Sequence, residues 1–468
     1  MIKFHLFFIQ IVILPISIEP HQIPFLLKSS SSSSSSSHSF QLQHAIHISH
    51  LQNQNLIFQR DFHHHDRIQI NLKSNLDPFN HYHSTQILKS RPGKIWTHNA
   101  SLSYWKSVHQ KNLKKNYQNS SSYELDSSSF NELNWKRDQV NLPDVDDIET
   151  LASLAKMTND AYILPGDNQW YDPNGNWNLS HSFGWENDGV RGHIFATTDN
   201  STIVVAIKGT SASVLGNGGP TGTRDKFNDN LFFSCCCARV SWTWTPVCDC
   251  YAGGGNQCRE QCLEDALTEK STYFSAIIQL YDHLVWLYPT SQIWLTGHSL
   301  GGALVGLLGV TFGVPAVAFE APGDLLPAKR LHLPLPPHAS FGEGQERSEV
   351  IHVYHTADPI SMGTCNGALS SCSIAGYAFD TKCHIGQAII FDTVKELKWA
   401  EDIRNHPIQI IIQKLLRPNW KNSESIGILH NFKAKIESFF STQQSIVPKP
   451  QIESCKQEAM DCSQWDFI

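Results

Sequence analysis

The chain reads as an α/β protein built on a mainly parallel central sheet, and three observations predict it. A short apolar strand runs into a G-x-S-x-G turn, Gly297-His-Ser-Leu-Gly301, with Ser299 at its apex. A helical period starts directly after that turn. Short β-type runs and helical periods then alternate from Thr202 to Glu320, an order that favours a parallel sheet covered on both faces.

Each element follows from its side chains. Ser291 to Thr296 holds Ile293, Trp294 and Leu295 behind Pro289, a strand bounded by a breaker. Leu300 to Phe312 sets Ala303, Leu304, Leu307 and Leu308 at helical spacing, with Gly302 and Gly306 small enough for close packing, and Pro315 ends it. Upstream, Glu264 to Tyr288 repeats Phe274, Ile277, Tyr281, Leu284 and Tyr288 along one face, which predicts one long helix. Thr202 to Ile207, Ala316 to Phe319 and Val350 to Tyr354 read as further strands.

Composition divides the 468 residues. Residues 1–27 carry Lys3 and an apolar run from Phe4 to Leu14, the pattern of a secretory signal; its span suits a signal-peptide core, yet no small-x-small cleavage site follows. An uncleaved type II anchor is favoured over a cleaved signal, and either places the bulk in a lumen. Residues 28–142 are rich in Ser, His and Asn, include the serine run Ser29 to Ser37, and are expected to form a linker without a core. Residues 145–440 are dense in apolar pattern and should form the folded domain, and 441–468 a cysteine-containing tail.

A net charge of −7 without a basic stripe excludes nucleic acid as the main partner. Four N-x-S/T sequons, at Asn99, Asn119, Asn178 and Asn200, agree with a lumenal site. So do twelve cysteines, all after residue 230. Disulfides are favoured over zinc for Cys248-x-Cys250 and Cys258-x3-Cys262, and Cys455 with Cys462 would close a short terminal loop. No metal or organic cofactor is expected.

The G-x-S-x-G turn is the nucleophile elbow of an α/β hydrolase, where a tight strand-to-helix bend presents a serine to a base. In that fold the acid and then the histidine follow the serine. Asp358 stands past the strand Val350 to Tyr354 with Pro359 beside it, and is favoured over Asp324 in Ala-Pro-Gly-Asp, which comes one strand too early. Among the later histidines, His384, His406 and His430, the proline-bounded Asn405-His-Pro407 loop favours His406 over His384. An oxyanion hole needs two amides aimed at the developing charge. Leu300, after the nucleophile, supplies one, and Thr210, after the strand Thr202 to Ile207, the other. The Gly-rich stretch Ser211 to Asn230 is expected to form a lid, with a surface loop as the alternative. Trp242 and Trp244 alternate as in a strand.

Lys208-Gly-Thr210, Gly297-His-Ser-Leu-Gly-Gly302, the Asp358 loop and a late histidine together resemble the fungal class 3 lipases. Phe183-Gly-Trp-Glu-Asn-Asp-Gly-Val-Arg-Gly-His193, Phe312-Gly-Val-Pro-Ala-Val-Ala-Phe-Glu320 and Met362-Gly-Thr-Cys-Asn-Gly367 resemble more closely the vacuolar autophagy-related phospholipases within them. The resemblance runs from about Val145 to Ile468 and leaves the Ser- and His-rich stretch uncovered. It implies a Ser299, Asp358 and His406 triad acting on membrane phospholipids such as phosphatidylserine and on neutral lipids. It also implies a single-pass type II glycoprotein that travels from endoplasmic reticulum through Golgi and multivesicular bodies to the vacuole, where it degrades autophagic-body vesicles. The polar segment His338 to Glu349 departs from what the resemblance implies.

Overall fold

The computed structural model describes residues 44–49, 56–61 and, apart from 335–348 and shorter internal gaps, 88–115, 133–211, 219–422, 447–453 and 462–468, so nearly all of the polar His338 to Glu349 segment lies outside the described residues. In chain order the first elements are β1 (His44–Ser49), β2 (Leu56–Asp61), β3 (Ser90–Thr97), α1 (Leu102–Lys115), β4 (Lys136–Pro143) and α2 (Ile148–Asp160). Then come β5 (Trp177–Phe183), β6 (Gly192–Thr197), β7 (Thr202–Ile207), α3 (Gly222–Phe233), β8 (Gln257–Cys258), α4 (Glu260–Thr268) and α5 (Tyr273–Leu287). The rest are β9 (Gln292–His298), α6 (Leu300–Phe312), β10 (Ala316–Phe319), α7 (Leu325–Arg330), β11 (Val350–His355), α8 (Ser371–Ile374), β12 (Gln387–Phe391), α9 (Thr393–Leu397), α10 (Ile408–Ile410) and β13 (Asp466–Phe467).

Nine strands form one sheet in the order β12-β11-β10-β9-β7-β6-β5-β1-β2. From β7 to β12 every pairing is parallel, while β7, β6 and β5 pair antiparallel. Strands β6, β7, β9, β10 and β11 are buried on both faces, so their side chains divide by period two between two cores. On β7, Ile203, Val205 and Ile207 join one core and Val204 and Ala206 the other. Helices α5 and α6 cover the first face and α2 the second. Every residue of α6 is buried, which explains its lack of a polar stripe.

Several expectations are corrected. The stretch before residue 142 does contribute to the core: Ile95, Trp105, Val108 and Leu133 are buried, and the Trp105 ring lies 5.6 Å from that of Phe312. A low average hydropathy concealed a few apolar side chains that pack onto the domain. The long helix from Glu264 breaks into α4 and α5, because Thr272 caps α5 by accepting from the Ser275 amide. Residues 222–230 lie in a helix fixed by buried Asp225, Asn228 and Asp229 and cannot act as a lid, and Leu231 to Phe233 are core. Residues 212–218 of the expected lid lie outside the described residues. Trp244 sits in a bend and not a strand, and Trp242 is outside the described residues.

Cys462 bonds Cys235, not Cys455, so the tail is tied to the body of the fold and not closed on itself. The other described pairs are Cys236 with Cys258, Cys237 with Cys248, Cys250 with Cys262 and Cys365 with Cys372, and Cys383 is also disulfide-bonded. The sulfurs of Cys237, Cys248 and Cys250 cluster closely, but all are spent in disulfides. Among the described residues no helix is long and apolar enough to cross a membrane, and the expected anchor at residues 1–27 lies outside them. Of the sequons, Asn99 and Asn178 are exposed, Asn200 is half-buried and Asn119 lies outside the described residues.

Candidate active site

Ser299 stands where β9 ends and α6 begins, with φ 57° and ψ −129°. A non-glycine residue in such a conformation carries about 1–3 kcal/mol of strain, held by its surroundings. Two glycines make the bend possible. A Cβ on Gly297 would strike the Gly301 carbonyl, and one on Gly301 would strike the carbonyl of Ile207 on the neighbouring strand.

Tertiary folding brings two distant side chains to this serine. The Ser299 hydroxyl is 2.9 Å from His406 Nε2, and His406 Nδ1–H donates to Asp358 Oδ2 at 2.8 Å. Asp358 is fully buried just past β11, and it also accepts from the Ile360 amide at 3.0 Å and the Ser361 hydroxyl at 2.9 Å. Burial alone would raise its pKa. The charge and hydrogen bond of His406 outweigh burial and hold the carboxyl well below the usual carboxylate range.

The loop bearing His406 is pinned through its backbone. His298 Nε2–H donates to the His406 carbonyl at 2.9 Å, and His355 Nε2–H to the Asn405 carbonyl at 3.1 Å. Burial pushes His298 down to about 3, so it is a neutral ring whose Nδ1 is left to accept. The Tyr162 hydroxyl donates to that Nδ1 at 2.6 Å and accepts from the Gly209 amide at 3.0 Å. One tyrosine therefore links the elbow, the histidine loop and the strand end before Thr210.

The parallel register pairs Ile207 with Gly297, which carries Gly209 against the elbow and Thr210 just beyond it. Leu300 opens α6, where backbone N–H groups have no partner within the helix and the macrodipole favours negative charge. Behind Thr210, Lys208 Nζ is buried and donates to Asp225 Oδ2 at 2.9 Å, Thr221 Oγ1 at 3.0 Å and the Gly209 carbonyl at 2.7 Å. The Ser211 amide and the Tyr273 hydroxyl also donate to Asp225, and Thr210 Oγ1 donates to Asp229 at 2.6 Å. The segment that carries Thr210 is thus bolted to α3 and α5.

The competing assignments fall elsewhere. Asp324 accepts from the Ile385 amide at 2.8 Å and lies 3.3 Å from His352, so it serves the core beside β11. His384 pairs with Glu453 at 2.9 Å and with the Ala321 carbonyl at 2.9 Å. His430 is outside the described residues. Sequence reasoning did not find Tyr162, the Lys208 to Asp225 pair or Glu320, which lies beside Asp358. Lys208 stood within a noted motif, whereas Tyr162 had no local signal, being 136 residues from His298.

A serine on a strained strand-to-helix bend, at the edge of a mainly parallel sheet and hydrogen-bonded through histidine to a buried aspartate, defines the class as an α/β hydrolase. Residues 250–318 match the family described as Lipase (class 3). The chain is homologous to fungal proteins named "Putative lipase ATG15". It is 54% identical to that of Cryptococcus neoformans var. neoformans serotype D over 292 residues, covering 62% of this chain and 55% of the relative. It is 52% identical to that of Mycosarcoma maydis over 311 residues, covering 66% and 59%. The aligned region thus covers a little over half of each relative's length. The crystal structure of Lip2 lipase from Yarrowia lipolytica aligns with a TM-score of 0.28 at 19% identity, over 51% of this chain and 77% of that one.

Proposed function

We propose that this chain is a serine lipase or phospholipase that cleaves membrane-lipid esters by acyl transfer. The observation that carries the reading is the unbroken path from the Ser299 hydroxyl through His406 to Asp358. His406 accepts the hydroxyl proton as Ser299 attacks the ester carbonyl, and Asp358 holds the imidazole and balances its charge. The Thr210 and Leu300 amides receive the oxyanion. His406 then protonates the leaving alcohol, and water, activated by the same histidine, releases the fatty acid. The chemistry needs no metal or organic cofactor.

Lipid as the substrate class is supported by exposed Leu369 and Ile374, 90% and 75% accessible, on the chain that leaves the Asp358 turn and is clamped by Cys365–Cys372. The disulfides fit an oxidising compartment, and the sequence resemblance supplies the setting: autophagic-body and multivesicular-body membranes in a vacuolar lumen. Glycosylation at Asn99, Asn119, Asn178 and Asn200, and an N-terminal anchor, belong to the same reading.

The test uses the full chain, because a truncation at Val145 would strip Trp105 and Val108 from the core. Fatty-acid release is measured from phosphatidylserine vesicles, phosphatidylcholine vesicles and triacylglycerol emulsion, beside Ser299→Ala. Release that drops about 10⁴-fold or more in the variant supports the proposal. A folded wild-type chain that binds vesicles and releases nothing at acidic or neutral pH would make it a lipid-binding scaffold instead.

A further inference from the structure

Behind Asp358 lies a second carboxyl group with no part in the chemistry described so far. Glu320 follows β10, is wholly buried, and holds a φ of 45°, a backbone conformation a non-glycine residue adopts only under constraint. The Ser361 hydroxyl lies between the two acids, 2.9 Å from Asp358 Oδ2 and 3.2 Å from Glu320 Oε2.

Proton counting decides what this arrangement is. Ser361 owns one hydroxyl proton and cannot donate it to two carboxylates at once. Asp358 Oδ2 already accepts from His406 and Oδ1 from the Ile360 amide, so Asp358 is the ionised partner. Two adjacent buried carboxylates without a shared proton would repel strongly. The missing proton therefore belongs on Glu320, whose carboxyl also hydrogen-bonds that of Asp358 directly, while the Ser361 O–H donates to Asp358 Oδ2. Of the titratable groups around the pair, His355 Nε2 lies 3.6 Å from Glu320 Oε1 but gives its proton to the Asn405 carbonyl. Tyr354, also on β11, donates to Glu453, and His298 is bound to the His406 carbonyl. None of these offers Glu320 a cation. Burial first, and then the Asp358 charge, push the Glu320 carboxyl well above its ordinary range, in agreement with the count.

We propose that Glu320 is a positioning residue that carries a proton and, together with Ser361, props the Asp358 carboxylate against His406. The device fixes the orientation of Asp358 and withdraws part of its charge. The serine is thereby activated in a more acidic medium than beside an unsupported aspartate. The inference rests on the ester-hydrolase reading for its kinetic consequence, though not for the protonation state itself.

The kinetic test measures kcat, KM and the acid limb of kcat/KM on a soluble short-chain ester with the full chain. Glu320→Ala and Ser361→Ala are expected to lower kcat about tenfold, the worth of one hydrogen bond, with KM unchanged. In both, the acid limb of kcat/KM moves to higher pH, because an unsupported Asp358 carboxylate keeps its full charge. Glu320→Gln, which restores a neutral donor, rescues both quantities. A Glu320→Gln limb displaced to lower pH, the signature of deleting an ionised charge, would overturn the proposal, as would alanine variants with an unmoved limb. The second test is infrared: the wild-type minus Glu320→Gln difference at neutral pH should contain the C=O band of a protonated carboxylic acid. Its absence would overturn the proposal even for a chain without esterase activity, whereas its presence in an inactive chain would refute only the hydrolase reading.

Discussion

At Ser299 the backbone strain and the hydrogen bonds serve the same end. The elbow holds the hydroxyl in a conformation the chain would otherwise avoid, and His298, His355 and Tyr162 hold the base where the hydroxyl points. Tyr162→Phe removes one hydroxyl that is bound at both ends, to His298 Nδ1 and the Gly209 amide. Turnover of a soluble ester is expected to fall about ten- to a hundredfold with an intact fold, as two hydrogen bonds are lost; circular dichroism beside initial rates checks both. Unchanged kcat would mean that packing alone positions the histidine loop. Ser299 could be read from its flanks, because the elbow is local. His406 and Asp358 could be favoured only by chain order together with the proline-bounded loop and the strand end that carry them, and Tyr162 had no local pattern to reveal it.

Local sequence dictates the catalytic elements more fully than their surroundings. Strand β7, helix α6 and strand β10 occupy the spans their apolar patterns predict, since burial on both faces leaves them one stable arrangement. Helix α3 behaves otherwise: glycine-rich flanks suggested a lid, yet buried contacts from Lys208 and Tyr273 to Asp225 fix it. Contact with lipid is better sought on the Cys365–Cys372 loop. Just past it, Lys226 on α3 donates to the Ala375 carbonyl at 2.8 Å, which ties the end of α8, with exposed Ile374, to α3. Leu369→Glu with Ile374→Glu should cut hydrolysis of phospholipid vesicles about tenfold while sparing a soluble ester, given some 1.5–3 kcal/mol for each buried aliphatic side chain. Equal loss on both substrates would place the loop in folding and not in docking.

Across the molecule, long-range ties secure the tail to the sheet. Gln451 bridges to Ala388 on the edge strand β12, and Glu453 meets buried His384. Burial would lower His384, but the Glu453 charge prevails and raises it to about 9; burial would raise Glu453, but His384 lowers it to about 2. The histidine's contribution is complete below its ordinary 6.5 and is lost as pH rises through about 9. The glutamate's contribution is complete above its ordinary 4.5 and is lost as pH falls through about 2. Stability from the pair should therefore peak between about pH 4.5 and 6.5. Denaturant melts across pH check this, and His384→Ala should cost about 3 kcal/mol and flatten the profile. A profile that His384→Ala leaves unchanged would remove the pair from the account.

By itself the sequence determined the α/β class, the elbow and the strand-helix alternation around it, because period and turn chemistry are properties of neighbouring residues. It could not determine that residues before 142 enter the core, that Cys462 reaches Cys235, or that Glu320 and Asp358 share one hydroxyl. Those depend on which distant segments the sheet brings together. Burial then assigns charges and protons to them, and burial exists only once the chain has folded.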